Sequence, residues 1–413
     1  MVAAPWPSQR LPAGPNDHRK KSEAVVKSFA TIVLGLGAMG SAALYQLAKR
    51  GHHVLGIDRH SPPHAQGSTH GDTRITRLAI GEGAQYTPLV LRSHEIWREL
   101  EQATGTALLT PCGGLIVSSR TKTSVVHVDD FFAKTIAAAE QYRIPHEILD
   151  AREIRRRFPP LNVKDDEVGY FERDAGYLRV EECVRVQLRL AQRHGAVIHC
   201  HENVLGFEAT ATSVDVTTDQ ATYSADRLIV AAGPWLPQLI DDALARNFKV
   251  LRQVLFWFEI RGAADAFDPE RFPVFIWELQ GKAQGVYGFP AVDGPAGGLK
   301  VATETYGAAT TPEAVDRTIG AEEIAAVYEE YVAPHISGLG SRCLRAVACL
   351  YTVTPDFGFV IDTHPHCDRI MIASACSGHG FKHSAAIGEA LMQWAVDGGS
   401  RIDLRGCGFA RFP

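Results

Sequence analysis

At 413 residues the chain is too long for one compact core, and two domains are expected. Its 42 basic and 47 acidic residues leave a formal charge of −5, with no basic surplus for nucleic acid. No stretch reaches the roughly 18–20 continuous apolar residues of a membrane span. The eight cysteines form no CxxC pair, which fits reduced thiols in a cytoplasmic protein better than a disulfide framework or a zinc site.

Residues 1–28 are Pro-rich and polar with a basic cluster at Arg19, Lys20 and Lys21, and they lack the apolar core of a signal peptide. A disordered extension is expected there. Next, the apolar run 30–34 reads as a strand, and GLGAMG follows with Gly35, Gly37 and Gly40 in the GxGxxG pattern. A helical stretch from Ser41 ends at Gly51, and a second strand ends on Asp58, near the distance expected of an acidic ribose ligand. Gly35 permits the tight turn, Gly37 lets backbone approach a pyrophosphate, and Gly40 lets helix and strand pack closely; Ala38 and Met39 complete the cradle. The motif alone does not separate FAD from NAD. A later strand (228–232) followed by Gly233-Pro234-Trp235 suits a domain interrupted by insertions, a layout that favours FAD.

Residues 61–86 carry His64, His70, Asp72, Arg74 and Arg77 among turn formers. If the stretch from Asp72 is helical, Arg74 and Arg77 share a face at i, i+3. They then either hold a substrate carboxylate or pair Asp72 and Glu82, and spacing leaves both open. Further along, His199 and His201 alternate on a predicted strand without a third metal ligand, and no metal site is expected. Arg155, Arg156 and Arg157 read as a solvated helix end.

The segment GSTHGDTRITRLAIGEGAQYTPLVLRSHEIWRELE resembles the monomeric sarcosine oxidase and N-methyltryptophan oxidase family, FAD-dependent secondary-amine oxidases of the D-amino-acid-oxidase-like superfamily. FERDAGYL, YGFPA, GLK, PDFGFVID and SGHGFKHS continue the likeness, collinear from about residue 29 onward. By that resemblance Cys349, in Cys349-Leu350-Tyr351, is the sulfur joined covalently to FAD. Arg77 and Lys382 bind the substrate carboxylate, Lys300 activates O2, His70 and Arg74 flank the flavin ring, and Tyr287 and Tyr351 line the substrate pocket. Gly378, His379, Gly380, Phe381 and Lys382 form the loop beside the ring, where glycines free the backbone for close approach. The partners implied are a small amine carrying a carboxylate and O2, with no nucleic acid and no membrane, acting on a monomer.

One departure stands out: Glu304 replaces the family histidine four residues after the lysine, which leaves the identity of the amine open. Trp277 is expected on a strand bordering the pocket. The expected activity is oxidation of an N-methyl or N-alkyl amino acid, with O2 reduced to H2O2. The alternatives are a fructosyl-amine or D-amino-acid type oxidase, or a flavin dehydrogenase with another acceptor.

The expected architecture is α/β: a Rossmann-like FAD-binding domain from about 29–110, 165–245 and 340–413, and a substrate domain from 111–164 and 246–339 on a large mixed β-sheet. The active site is expected between them.

Overall fold

The computed structural model describes residues 27–125 and 128–412. Its first strand, Lys27–Leu34, opens two residues inside the extension expected to be disordered; residues 1–26 lie outside the described residues. This strand sits between two parallel neighbours, Val54–Asp58 and Thr222–Val230, in an eight-stranded sheet. Val197–Cys200 extends the sheet beyond Val54–Asp58, and Cys367–Ser374 runs parallel to Thr222–Val230. The central strand has no exposed face: Ile32, Val33 and Leu34 are all buried, as parallel sheets covered on both sides require.

The helix Ala38–Lys49 is buried all round, because the helices Val180–Arg193 and Ser384–Asp397 both pack against it. Small residues permit that approach. A Cβ built on Gly388 would lie 2.4 Å from the Ala42 side chain, so the C-terminal helix reaches the dinucleotide helix only with glycine at this contact.

A nine-stranded mixed sheet forms the other half. Its long pair, Lys249–Ile260 and Leu339–Val353, is antiparallel and places Gln253 opposite Cys349. Leu299–Thr303 pairs along the other side of Lys249–Ile260, with Lys300 opposite Trp257. Two strands inside segments expected in the cofactor half join this sheet instead. Glu167–Glu172 pairs with Gly114–Ser119, and Leu339–Val353, which begins one residue before the expected boundary at 340, pairs with Lys249–Ile260 and carries Cys349 on this sheet.

Two local expectations are corrected and a third is refined. Thr73–Thr76 is a strand, not a helix: its β-branched residues suit a pleated ribbon, and Gly176–Arg179 pairs antiparallel with it. Trp277 does lie on a strand bordering the cleft, Val274–Trp277, but strand alternation gives the cleft position to Ile276, and Trp277 itself is fully buried with its indole N–H donating to Glu167 Oε1 at 2.8 Å. His199 and His201 do not share a strand face, because the strand ends at Cys200 and His201 turns off with φ +57°. The triple arginine does close a short helix, Ala151–Arg157, with its guanidiniums on Glu147, Glu153 and Asp165.

Among the described residues no helix is long and apolar enough to cross a membrane, and all eight cysteines are free thiols.

Candidate active site

A cleft of about 240 Å³ runs from the first βα turn to the loop that opens the C-terminal helix. At its dinucleotide end the chain leaves the first strand at Gly35, with φ +80°. A Cβ there would lie 2.6 Å from the Ala231 carbonyl, and one on Gly40 would lie 1.7 Å from the Gly35 carbonyl. Only glycine lets the helix start this close to the strand. Gly37 caps the helix with no side-chain hydrogen bond, and no acidic residue occupies the first turn, so the helix N-terminus is suited to an anion.

Asp58 ends the second strand on the cleft wall. Its carboxylate accepts from the Leu36 amide at 2.7 Å and the His60 amide at 2.8 Å, which fixes it at the mouth of the turn. At the other end, Gly378 has φ +83°, and a Cβ on Gly380 would lie 1.6 Å from the Ala375 carbonyl. Two tight backbone turns that tolerate only glycine thus border one cleft, and the residues present fit FAD. Gly40→Ala should cost about 3 kcal/mol or more through overpacking and should abolish flavin retention. A purified variant with native melting temperature and full flavin content would contradict this.

Between the cradles, Arg74, Arg77, Tyr287, Lys300, Tyr351 and Lys382 reach the cleft wall, together with Ala38, Met39, His379 and Phe381. Gly40, His70 and Cys349 stand behind it. Cys349 is 1% exposed, and its neighbours Leu350 and Tyr351 form the wall. Arg74 Nη2 donates to Cys349 Sγ at 3.4 Å, and the Ser68 carbonyl lies at the same distance. Burial opposes ionisation of this thiol, but hydrogen bonding from His70 and the charge of Arg74 outweigh it and bring the pKa down to about 7. Burial without such partners does the opposite elsewhere, raising Cys112 to about 12 and Cys407 to about 11. His70 is itself buried, with Nε2 lacking a hydrogen-bond partner among the described residues.

Lys300 is 2% exposed and donates to the Gly71 carbonyl at 2.6 Å, the Thr73 carbonyl at 2.8 Å and Thr73 Oγ1 at 3.2 Å. Three acceptors match the three protons of an ammonium. Burial and the nearby Arg74 charge nevertheless push its pKa well below the usual lysine range.

Arg77 and Lys382 converge on Glu82. Arg77 bonds this carboxylate and the Ala79 carbonyl, and Lys382 Nζ lies 3.6 Å from Glu82 Oε1 and donates to the His379 carbonyl at 2.7 Å. Of the two pairings open from spacing, Arg77 therefore takes Glu82, and an internal carboxylate occupies the face expected to receive the substrate's. Burial lowers Lys382 to about 8 and Arg77 adds to that, while Glu82 opposes it. His379 stacks on Phe359 at 4.5 Å and its Nε2 reaches the Phe357 carbonyl at 3.0 Å.

Two supporting carboxylates have no signal in the local sequence. Glu172 accepts from the Leu78 and Ala79 amides at 2.6 and 3.1 Å and from the Tyr170 hydroxyl, holding the backbone beside Arg77. Glu181 accepts from the Gly71 and Asp72 amides at 2.8 and 3.2 Å, holding the loop that Lys300 also grips. Their partners lie some 94 and 110 residues away, beyond any local pattern.

A family model described as FAD dependent oxidoreductase matches residues 30–394. A monomeric sarcosine oxidase of Streptomyces avermitilis is 42% identical over 374 residues, covering 90% of this chain and 94% of that protein. An N-methyl-L-tryptophan oxidase of Yersinia pestis is 36% identical over 386 residues, covering 93% and 99%. Among solved structures, NikD, described as an unusual amino acid oxidase essential for nikkomycin biosynthesis, superposes with a TM-score of 0.80 at 23% identity over 93% of this chain and 98% of that one.

Proposed function

The chain belongs to the family of FAD dependent oxidoreductases, and from that premise we propose that it oxidises a small secondary amine carrying a carboxylate, an N-methyl or N-alkyl amino acid. The observation that carries this reading is the meeting, in one cleft, of a dinucleotide cradle with a buried Arg77–Lys382 pair and a buried lysine, Lys300. FAD, when bound, supplies the chemistry: it accepts two electrons from the amine and delivers them to O2. The overall reaction consumes amine, O2 and water and yields an aldehyde, the shortened amine and H2O2.

The chain's own residues bind and orient. Arg77 and Lys382 receive the substrate carboxylate in exchange for Glu82, and this charge-assisted pairing fixes which carbon faces the redox centre. Tyr287 and Tyr351 keep water from the reacting carbon, and burial raises both phenols, Tyr287 to about 12, so they stay neutral at working pH. Lys300 places positive charge where O2 is reduced. Arg74 and His70 hold Cys349 as the attachment point for FAD. The working unit is a monomer.

The test is an absorption spectrum of the purified protein followed by a panel of N-methyl and N-alkyl amino acids, D-amino acids and fructosyl amines, scored for H2O2 and aldehyde. H2O2 formed only from D-amino acids or fructosyl amines would overturn the substrate class. Reduced flavin persisting in air would overturn O2 as acceptor. Arg77→Gln should raise KM for an N-methyl amino acid roughly 10- to 100-fold, the worth of one charged hydrogen-bond pair. An unchanged KM would leave Arg77 as a partner of Glu82 alone.

A further inference from the structure

Glu304 is a carboxylate in the cleft wall, 7% exposed, just beyond the strand Leu299–Thr303 that carries Lys300. Its Oε2 accepts from the Tyr306 hydroxyl at 2.8 Å, and Tyr306 packs edge-on against Phe357 at 5.0 Å. Tyr287 and Tyr351 stand close enough to feel its charge, which helps keep all three phenols protonated. The field of Glu304 also reaches Lys382 and favours its ammonium. One carboxylate among phenol rings is the chemistry that receives an organic cation, and here it lies within electrostatic reach of the pair that receives an anion.

Resting on the reading that the cleft takes a carboxylate-bearing amine, we propose that Glu304 binds the substrate nitrogen in its cationic form and so selects zwitterions over simple carboxylates. A compact amino acid then spans the cleft with its carboxylate toward Arg77 and Lys382 and its nitrogen toward Glu304. The same contact has a kinetic consequence. Oxidation needs the nitrogen lone pair, so a carboxylate that stabilises the ammonium raises the pH at which the bound amine becomes reactive. Glu304 tightens binding and moves the acid limb of flavin reduction upward.

The probe is an isosteric pair, glycine betaine and 3,3-dimethylbutanoate, which differ only in a permanent positive charge at the quaternary atom. Dissociation constants are read from perturbation of the flavin spectrum in the holoenzyme. The wild type should prefer betaine at least tenfold. Glu304→Gln should erase the preference by weakening betaine alone, and Glu304→Asp should retain most of it. With an N-methyl amino acid in single-turnover reduction, the acid limb should move at least one pH unit lower in Glu304→Gln. Binding of 3,3-dimethylbutanoate with no preference for betaine, or a preference that survives Glu304→Gln, overturns the role of Glu304 while leaving the carboxylate clamp intact. If neither compound binds and N-methyl amino acids also fail to perturb the flavin, the clamp itself falls and the inference falls with it.

Discussion

Acid-denatured protein should keep its flavin on the polypeptide, and Cys349→Ser should release all of it. Eight thiols are available, and Cys376 itself lines the cleft, but burial raises the Cys376 thiol whereas that of Cys349 is lowered. Cys349 is buried one residue from the cleft wall, with a guanidinium at 3.4 Å from its sulfur and an imidazole beside it. The thiolate is the nucleophilic form of cysteine. Its pKa of about 7 lies below the ordinary thiol value, so the reactive form grows in as pH rises through 7 and is nearly complete by about pH 8. Attachment of FAD to flavin-free protein should follow that curve, with half-maximal rate near pH 7 and a plateau above it. His70→Asn should move the midpoint upward, because it removes one of the two groups that hold the thiolate. Intact mass after denaturation, with and without the mass of one FAD, is the measurement. Flavin extracted quantitatively by acid from the wild-type chain would return Cys349 to the role of a packing residue.

The parts of this site that were legible in the sequence are the ones whose physics is local. Gly35, Gly37 and Gly40 stand close together between a strand and a helix, so their spacing alone predicts the cradle. Only the Gly40 contact, with the Gly35 carbonyl, is local; a Cβ on Gly35 would strike Ala231, just past the distant strand Thr222–Val230. The loop at Gly378–Gly380 reads the same way. What escaped depends on pairing across the fold. The segment Thr73–Thr76 was ambiguous until Gly176–Arg179, a hundred residues on, supplied the partner strand that makes it β. Trp277 carries the bulk expected of a pocket wall, but only the register of its strand shows that Ile276 has that place. The long strand Leu339–Val353 belongs with Lys249–Ile260, a pairing that no local pattern announces, and it moves Cys349 from the cofactor half to the sheet that faces it. Glu172 and Glu181 are silent for the same reason: each satisfies backbone amides contributed by a distant loop.

Lys300→Met should slow reoxidation of the reduced enzyme by O2 roughly 10²- to 10³-fold, the usual cost of removing one well-placed charge, while leaving reduction by substrate within a few-fold. Methionine keeps the buried apolar stem, so the substitution removes charge with little change in volume. It also strips one donor each from Thr73 Oγ1 and from the Gly71 and Thr73 carbonyls; the carbonyls keep the Thr73 amide and Arg74 Nη1, so the structural cost falls below the about 1–3 kcal/mol of a fully unpaired buried acceptor. That structural effect competes with the electrostatic one, and pH separates them. Burial and Arg74 lower the Lys300 pKa well below its ordinary value, so its positive charge is present at low pH and is lost as pH rises through the lowered pKa. Wild-type reoxidation should therefore fall as pH increases, and the limb should be missing from Lys300→Met. A lysine that only anchors the loop at Gly71 would give a different result: reduction and reoxidation would decline together, with a lower melting temperature and an unchanged pH profile of the O2 step. Stopped-flow reoxidation across pH decides between the two, and an O2 rate in Lys300→Met equal to that of the wild type would assign Lys300 to the loop.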